Sequence, residues 1–168
     1  MRKLKLLFLA FVFTGSALFA GDYYLGVSTQ TLRQFTSGSV VFPGNLEKVG
    51  YGVGLQGGYV FFKKGNFSTA VEGRYSYTWN PVSDTEILSV FLKPAYSTSF
   101  YNVTVYGLLG VSTVHNRAVK GWNNGFAYGL GIQKPVLKNV DIFLDYTINA
   151  KQDGARPNAL TLGFNYKF

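Results

Sequence analysis

The sequence predicts an all-β fold: an eight-stranded antiparallel up-and-down barrel that crosses a membrane with its apolar side outward. Three observations carry this. Eight segments alternate apolar with polar residues, the period of a strand whose successive side chains point to opposite faces. The chain is 47% hydrophobic and 17% aromatic, yet after residue 20 no apolar run approaches the roughly 18 residues of a membrane helix. Charged residues are only 14%, against about 25% in soluble domains, and those inside the strands gather on the polar parity.

Residues 1–20 stand apart. Arg2, Lys3 and Lys5 precede an apolar stretch from Leu6 to Phe13, and the small residues Gly15, Ser16 and Ala17 follow. This is the outline of a secretory signal peptide. Cleavage is expected after Ala20, with Ala17 as the alternative, which leaves residues 21–168 as one barrel domain. The leader takes three of the 16 basic residues with it, so part of the formal charge of +8 belongs to export. There is no cysteine, which removes disulfides and thiolate chemistry. No basic stripe accompanies a nucleic-acid-reading element, so nucleic acid is not an expected partner.

The strands are expected near 22–31, 50–62, 67–79, 87–97, 101–114, 125–134, 139–150 and 159–168. The first sets Tyr23, Leu25 and Val27 against Tyr24, Gly26, Ser28 and Gln30. The second sets Tyr51, Val53, Leu55, Tyr59 and Phe61 against Gly52, Gly54, Gln56 and Gly58. In the third, Val71, Tyr75, Tyr77 and Trp79 oppose Ser68, Glu72, Arg74 and Ser76. The fourth is the least regular: Leu88, Val90, Leu92 and Tyr96 share a face, while Ile87 and Phe91 join the inward set. The fifth sets Tyr101, Val103, Val105, Leu109 and Val111 against Asn102, Thr104, Tyr106 and Ser112. In the sixth, Phe126, Tyr128, Leu130 and Ile132 oppose Gly129, Gly131 and Gln133. In the seventh, Ile142, Leu144 and Tyr146 oppose Asp141, Phe143 and Asp145. The eighth is strict: Leu160, Leu162, Phe164, Tyr166 and Phe168 alternate with Thr161, Gly163, Asn165 and Lys167.

Charge decides which face is which. Glu72, Arg74, Lys93, Asp141, Asp145 and Lys167 all take the polar parity, while Glu86 and Lys134, at expected strand ends, break it. A Lys or Arg facing lipid at the midplane costs about 2–4 kcal/mol, so this face is the interior. A water-soluble barrel needs the reverse arrangement. The interior charges read as a lumen network, with Asp141 and Asp145 facing Arg74 or Lys93 across the barrel, because buried ions need partners. The inward glycines make room for Tyr24, Phe62, Phe91, Tyr106 and Phe143, as an interior just wide enough for side chains requires. Connections alternate between tight ones (63–66, 97–100, 135–138) and generally longer ones (32–49, 80–86, 115–124, 151–158), the pattern of turns on one side and loops on the other.

The leader, the eight alternating strands and the terminal Phe168 together resemble the small outer-membrane β-barrel family, which includes OmpA-type transmembrane domains and opacity-like proteins of the porin family. The resemblance is specific for architecture and implies a barrel in the outer membrane of a Gram-negative bacterium; the expected state is a monomer and the expected role non-enzymatic, structural or surface-interacting. It implies that Phe164, Tyr166 and Phe168 form an assembly signal read by the barrel-assembly machinery. The expected partners are outer-membrane lipid and lipopolysaccharide, the latter through basic loop residues near Trp122. Unlike in full-length OmpA-type proteins, no peptidoglycan-binding domain is expected after the barrel.

Three alternatives stay open, the first a water-soluble barrel, which would appear in the periplasmic fraction. A narrow pore for small solutes would use the lumen charges. A lipid A-modifying enzyme would use His115, the only histidine, with Ser112 or Thr113 close in sequence; the His-x-Ser-Asn element of the family's deacylases is missing, and no acidic orienter is evident. No catalytic, cofactor or metal residue is assigned, and one histidine without cysteine makes a zinc site improbable. Gly52-Val53-Gly54-Leu55-Gln56-Gly57 matches G-x-G-x-x-G, but a strand rather than a helix continues from it, which removes the dinucleotide reading.

Overall fold

The computed structural model describes residues 22–36, 49–79, 84–99, 101–117, 121–151 and 155–168. The expected leader and the centres of the long loops lie outside them. Eight strands follow in order: β1 Asp22–Thr36, β2 Val49–Lys64, β3 Phe67–Trp79, β4 Thr85–Ser97, β5 Thr104–Asn116, β6 Asn123–Leu137, β7 Val140–Ile148 and β8 Ala155–Lys167. Each pairs antiparallel with the next, and β8 pairs β1 from Thr36↔Ala155 to Tyr24↔Lys167, so the sheet closes. Closure leaves no edge, and every strand finds hydrogen-bond partners on both sides.

The parity holds around the barrel. Val27, Leu55, Val90, Leu109, Leu130, Leu144 and Leu162 all point outward and are exposed. Phe91, Tyr106 and Phe143 are at most 2% exposed and fill the interior, as are the carboxylates of Glu72, Asp141 and Asp145. The G-x-G-x-x-G segment runs through the middle of β2. Aromatic side chains collect toward the strand ends, where rings meet: Tyr23 with Tyr59 at 5.2 Å, Tyr77 with Trp79 at 5.2 Å, and Tyr166 with Phe168 at 5.1 Å. Amphipathic rings favour the levels where hydrocarbon meets water.

Three expectations are corrected. Phe62 points outward, not inward, and is 44% exposed. The ladder shifts between Val60 and Phe62, so Phe62 pairs with the outward Thr69. One extra residue reverses the face of everything after it, and the Phe62 ring packs at 6.1 Å from Phe67. Secondly, β5 starts at Thr104 rather than Tyr101. Tyr101 and Asn102 take left-handed φ values of 57° and 51°, a conformation that turns the chain and that a strand does not use. Finally, the interior is not polar throughout. Leu32, Ile87, Val114, Ala150 and Ala159 form a buried apolar cluster at the loop end, and Leu108 and Ala127 join Phe91 and Tyr106 in a second.

Glycine gives this interior its space. A Cβ on Gly131 would lie 2.5 Å from the Tyr106 ring and 2.6 Å from Asp145 Cβ; one on Gly163 would lie 2.6 Å from the Phe143 ring. Gly131→Val should therefore overpack the lumen and destabilise the barrel by about 1–3 kcal/mol, read as a lower urea midpoint of heat-modifiable gel mobility. An unchanged midpoint would contradict this packing.

Candidate functional site

The lumen is built from inward positions of all eight strands. Arg74, on β3, occupies its centre. Its guanidinium donates two bonds to Asp145 on β7, Nη1 to Oδ1 at 3.0 Å and Nη2 to Oδ2 at 2.7 Å, and a third from Nε to Glu72 Oε1 at 2.5 Å. The fork geometry of arginine fits a carboxylate in this bidentate way. Phe91 and Phe143 flank the guanidinium at 5.6 and 5.7 Å. Glu72, fully buried, also accepts from Lys93 Nζ at 2.9 Å and from the Tyr24 hydroxyl at 2.5 Å. Lys93 lies 4.1 Å from the Tyr106 ring centre, and the Tyr106 hydroxyl donates to Asp145 Oδ2 at 2.9 Å. Two cations and two carboxylates thus neutralise one another inside a shell of rings.

Asp141 meets this group through Gln133, whose Oε1 accepts from Lys93 Nζ at 3.4 Å and whose Nε2 donates to Asp141 at 2.5 Å; it also lies 2.8 Å from Lys167 Nζ. Asp141 and Asp145 are four residues apart on one face of β7, about 13 Å at the strand rise, so only Asp145 reaches the level of Arg74. The inward parity already carried the uncharged members Tyr24, Tyr106 and Gln133, as well as Lys167. What sequence could not supply was their height along the barrel.

Above this layer Gln30 donates to Thr78 at 2.7 Å, and the Leu32–Ile87–Val114 cluster stops the loop end. Asn149 N donates to Pro157 O at 3.0 Å, and Ala150 N to Ser112 Oγ at 2.7 Å, which fixes the start of the last loop over the cluster. Below the layer, a cavity of about 440 Å³ opens at the turn end, with Lys93, Asp141, Tyr24 and Gln133 among its lining. Among the described residues this cavity stops at the Arg74 layer, and a smaller polar void lies above it, lined by Gln30, Gln56, Ser89 and Asn149.

His115 and Ser112 are separated by the wall. Ser112 is 2% exposed and faces inward. His115 takes the outward parity, stacks on Trp122 at 4.8 Å, and its Nδ1 lies 2.9 Å from Gly121 O. An acidic residue does stand beside it: Glu86 is its register partner on β4, a correction to the sequence reading. The hydroxyl sharing that face is Thr113, which donates to Asn124 at 2.7 Å. Nearby, Tyr77 donates to Asp84, which also meets Arg117 at 3.5 Å.

Breaking the Arg74 fork leaves a buried charge uncompensated. Arg74→Met or Asp145→Asn alone should destabilise by about 3–5 kcal/mol, and the double variant by less than the sum. Urea titration of the four proteins measures the coupling; strictly additive losses would show that the two residues act independently.

No protein-family model matches the chain, and neither does any curated protein. Solved structures do. The attachment invasion locus protein Ail of Yersinia pestis, solved in complex with the heparin analogue sucrose octasulfate, aligns with a TM-score of 0.61 and 23% identity over 89% of this chain and 100% of its own. Neisserial surface protein A aligns with a TM-score of 0.59 and 20% identity over 88% and 99%. The outer membrane protein OprG of Pseudomonas aeruginosa aligns with a TM-score of 0.53 and 14% identity over 89% and 96%. At these identities the likeness is one of architecture: this chain has the fold of the small eight-stranded outer-membrane barrels.

Proposed function

We propose that this chain is an integral outer-membrane barrel of a Gram-negative bacterium, non-enzymatic, with a structural or surface-interaction role. The observation that carries this is the continuous outward belt of exposed Leu, Val, Phe and Tyr around a charged, paired interior. Such a belt is far larger than the apolar patches soluble monomers expose. The neighbouring folds support the same membrane. In this setting Phe164, Tyr166 and Phe168, all outward and exposed, form a continuous ridge on β8 that the assembly machinery can read.

The loop end supplies the surface role. Among the described residues it carries exposed Arg33, Arg117, Lys151 and Arg156. Its described acids, Asp84 and Glu86, lie within the rim, Asp84 beside Arg117 and Glu86 buried. Arg33 pairs in register with Asn158 across the β1–β8 seam, so Arg156 is its diagonal neighbour on the outward face, about 7–8 Å away. Two arginines at that spacing above an apolar belt suit the phosphates of lipopolysaccharide. A polysulfated sugar bound by a barrel of the same fold is consistent with anionic ligands at such a rim.

The paired charges and rings that fill the lumen at the level of Arg74 weigh against a narrow pore. The enzyme alternative has one observation in its favour, Glu86 opposite His115, and would be revealed by an altered lipid A acyl pattern that His115→Ala abolishes. Two outcomes are expected instead. The protein should fractionate with the outer membrane and show heat-modifiable mobility; recovery as a soluble periplasmic protein would refute the membrane reading. Arg33→Gln with Arg156→Gln should weaken lipopolysaccharide binding by about tenfold, the equivalent of one charge-assisted contact, measured by titration of the folded protein. Equal binding of dephosphorylated lipopolysaccharide would refute the phosphate contact.

A further inference from the structure

We propose that the turn end of the barrel holds the headgroup phosphates of anionic phospholipids, of the phosphatidylglycerol type, through Lys64, Lys134 and Lys138. The proposal rests on the membrane reading above and adds a lipid preference at the opposite rim. Its starting point is the bulge in β2. Because the ladder shifts between Val60 and Phe62, Lys64 pairs with Phe67 and comes to share the outward face. Without the shift, its even parity would turn it into the lumen. On β6, Lys134 pairs with the outward Ile142. Strands β2 and β6 stand on opposite sides of the closed barrel, so the two lysines face two separate stretches of the surrounding leaflet.

Their surroundings fit a lipid headgroup. Lys64 lies beside Phe62 and Phe67; Lys134 and Lys138 flank Val136 and Leu137, which are 49% and 69% exposed. A lysine stem lies along such apolar surface and delivers its ammonium to the interface. The local charge is unbalanced. Among the described residues the acids at this end are Asp22, which meets Lys63 at 3.6 Å, and Asp141, which meets Lys167 at 2.8 Å. Lys64, Lys134 and Lys138 are exposed and carry no ion pair among the described residues. Three uncompensated cations at the edge of the hydrocarbon belt attract anionic headgroups and gain nothing comparable from zwitterionic ones.

The test folds the chain into phosphatidylcholine vesicles doped with spin-labelled phosphatidylglycerol or spin-labelled phosphatidylcholine, and compares the fraction of each label immobilised by protein. A preference of about twofold for the anionic label is expected, the average over all surrounding lipids of a stronger effect at each lysine, and it should shrink as salt screens it. The triple variant K64Q/K134Q/K138Q should lose most of it, while K64R/K134R/K138R should keep it. Heat-modifiable mobility confirms that each variant has folded. Equal immobilisation of both labels, or a preference that survives the glutamine variant, would overturn the proposal and leave the membrane reading intact. Failure of the parent chain to enter vesicles as a heat-modifiable barrel would overturn both.

Discussion

A strand in hydrocarbon has no water to satisfy its N–H and C=O groups, and one open edge would strand a whole row of them. Pairing β8 back onto β1 removes that edge, and the remaining architecture follows from it. A closed sheet has one inside and one outside, so alternation along each strand becomes a choice of solvent for each side chain. Residues such as Leu130 and Leu162 turn to the belt, and Glu72, Arg74 and Asp145 turn inward. There they are far from bulk water, so they must neutralise one another, which they do through Arg74 and Lys93. The rings of Phe91, Tyr106 and Phe143 close the gaps between them, and glycines on facing strands yield the space.

Most of this was legible because period and face are local properties. The strict alternation of residues 160–168 names the face of every side chain in β8 before any contact is known. What failed to be legible depended on quantities that alternation does not encode. Phe62 lies beyond a one-residue insertion whose existence is visible only against β3. Asp141 was grouped with Asp145 by face, but partner choice depends on height: Lys167 meets Asp141 directly and Lys93 reaches it through Gln133, while Arg74 pairs with Asp145. The apolar stopper at the loop end combines Leu32, Ile87, Val114, Ala150 and Ala159 from distant segments. Of these, Ile87 was noticed as an irregular inward residue, and the rest become a cluster only after closure. Glu86 faced His115 across a ladder whose register had to be seen.

The two rims use different cations. The turn end carries Lys63, Lys64, Lys134, Lys138 and Lys167, while the described basic residues of the loop end are Arg33, Arg117, Arg156 and Lys151. A guanidinium is a rigid, weakly hydrated fork suited to fixed, multiply charged anions; an ammonium is a mobile point charge. The proposed partners divide in the same way, crowded phosphosugar on one side and fluid diacyl lipid on the other.

The β1–β8 seam has a kinetic consequence. Thr29 meets Leu162 across it, a separation of 133 residues, whereas the other seven ladders join neighbours in the chain. Hairpins can therefore form in order as the polypeptide arrives, but none of them completes the cylinder. The final annealing step must wait for both extremities and bring them together at a large entropic cost. Until then, two long, sticky borders are available to other unfinished molecules, so the interval before annealing is the period in which a chaperone matters most.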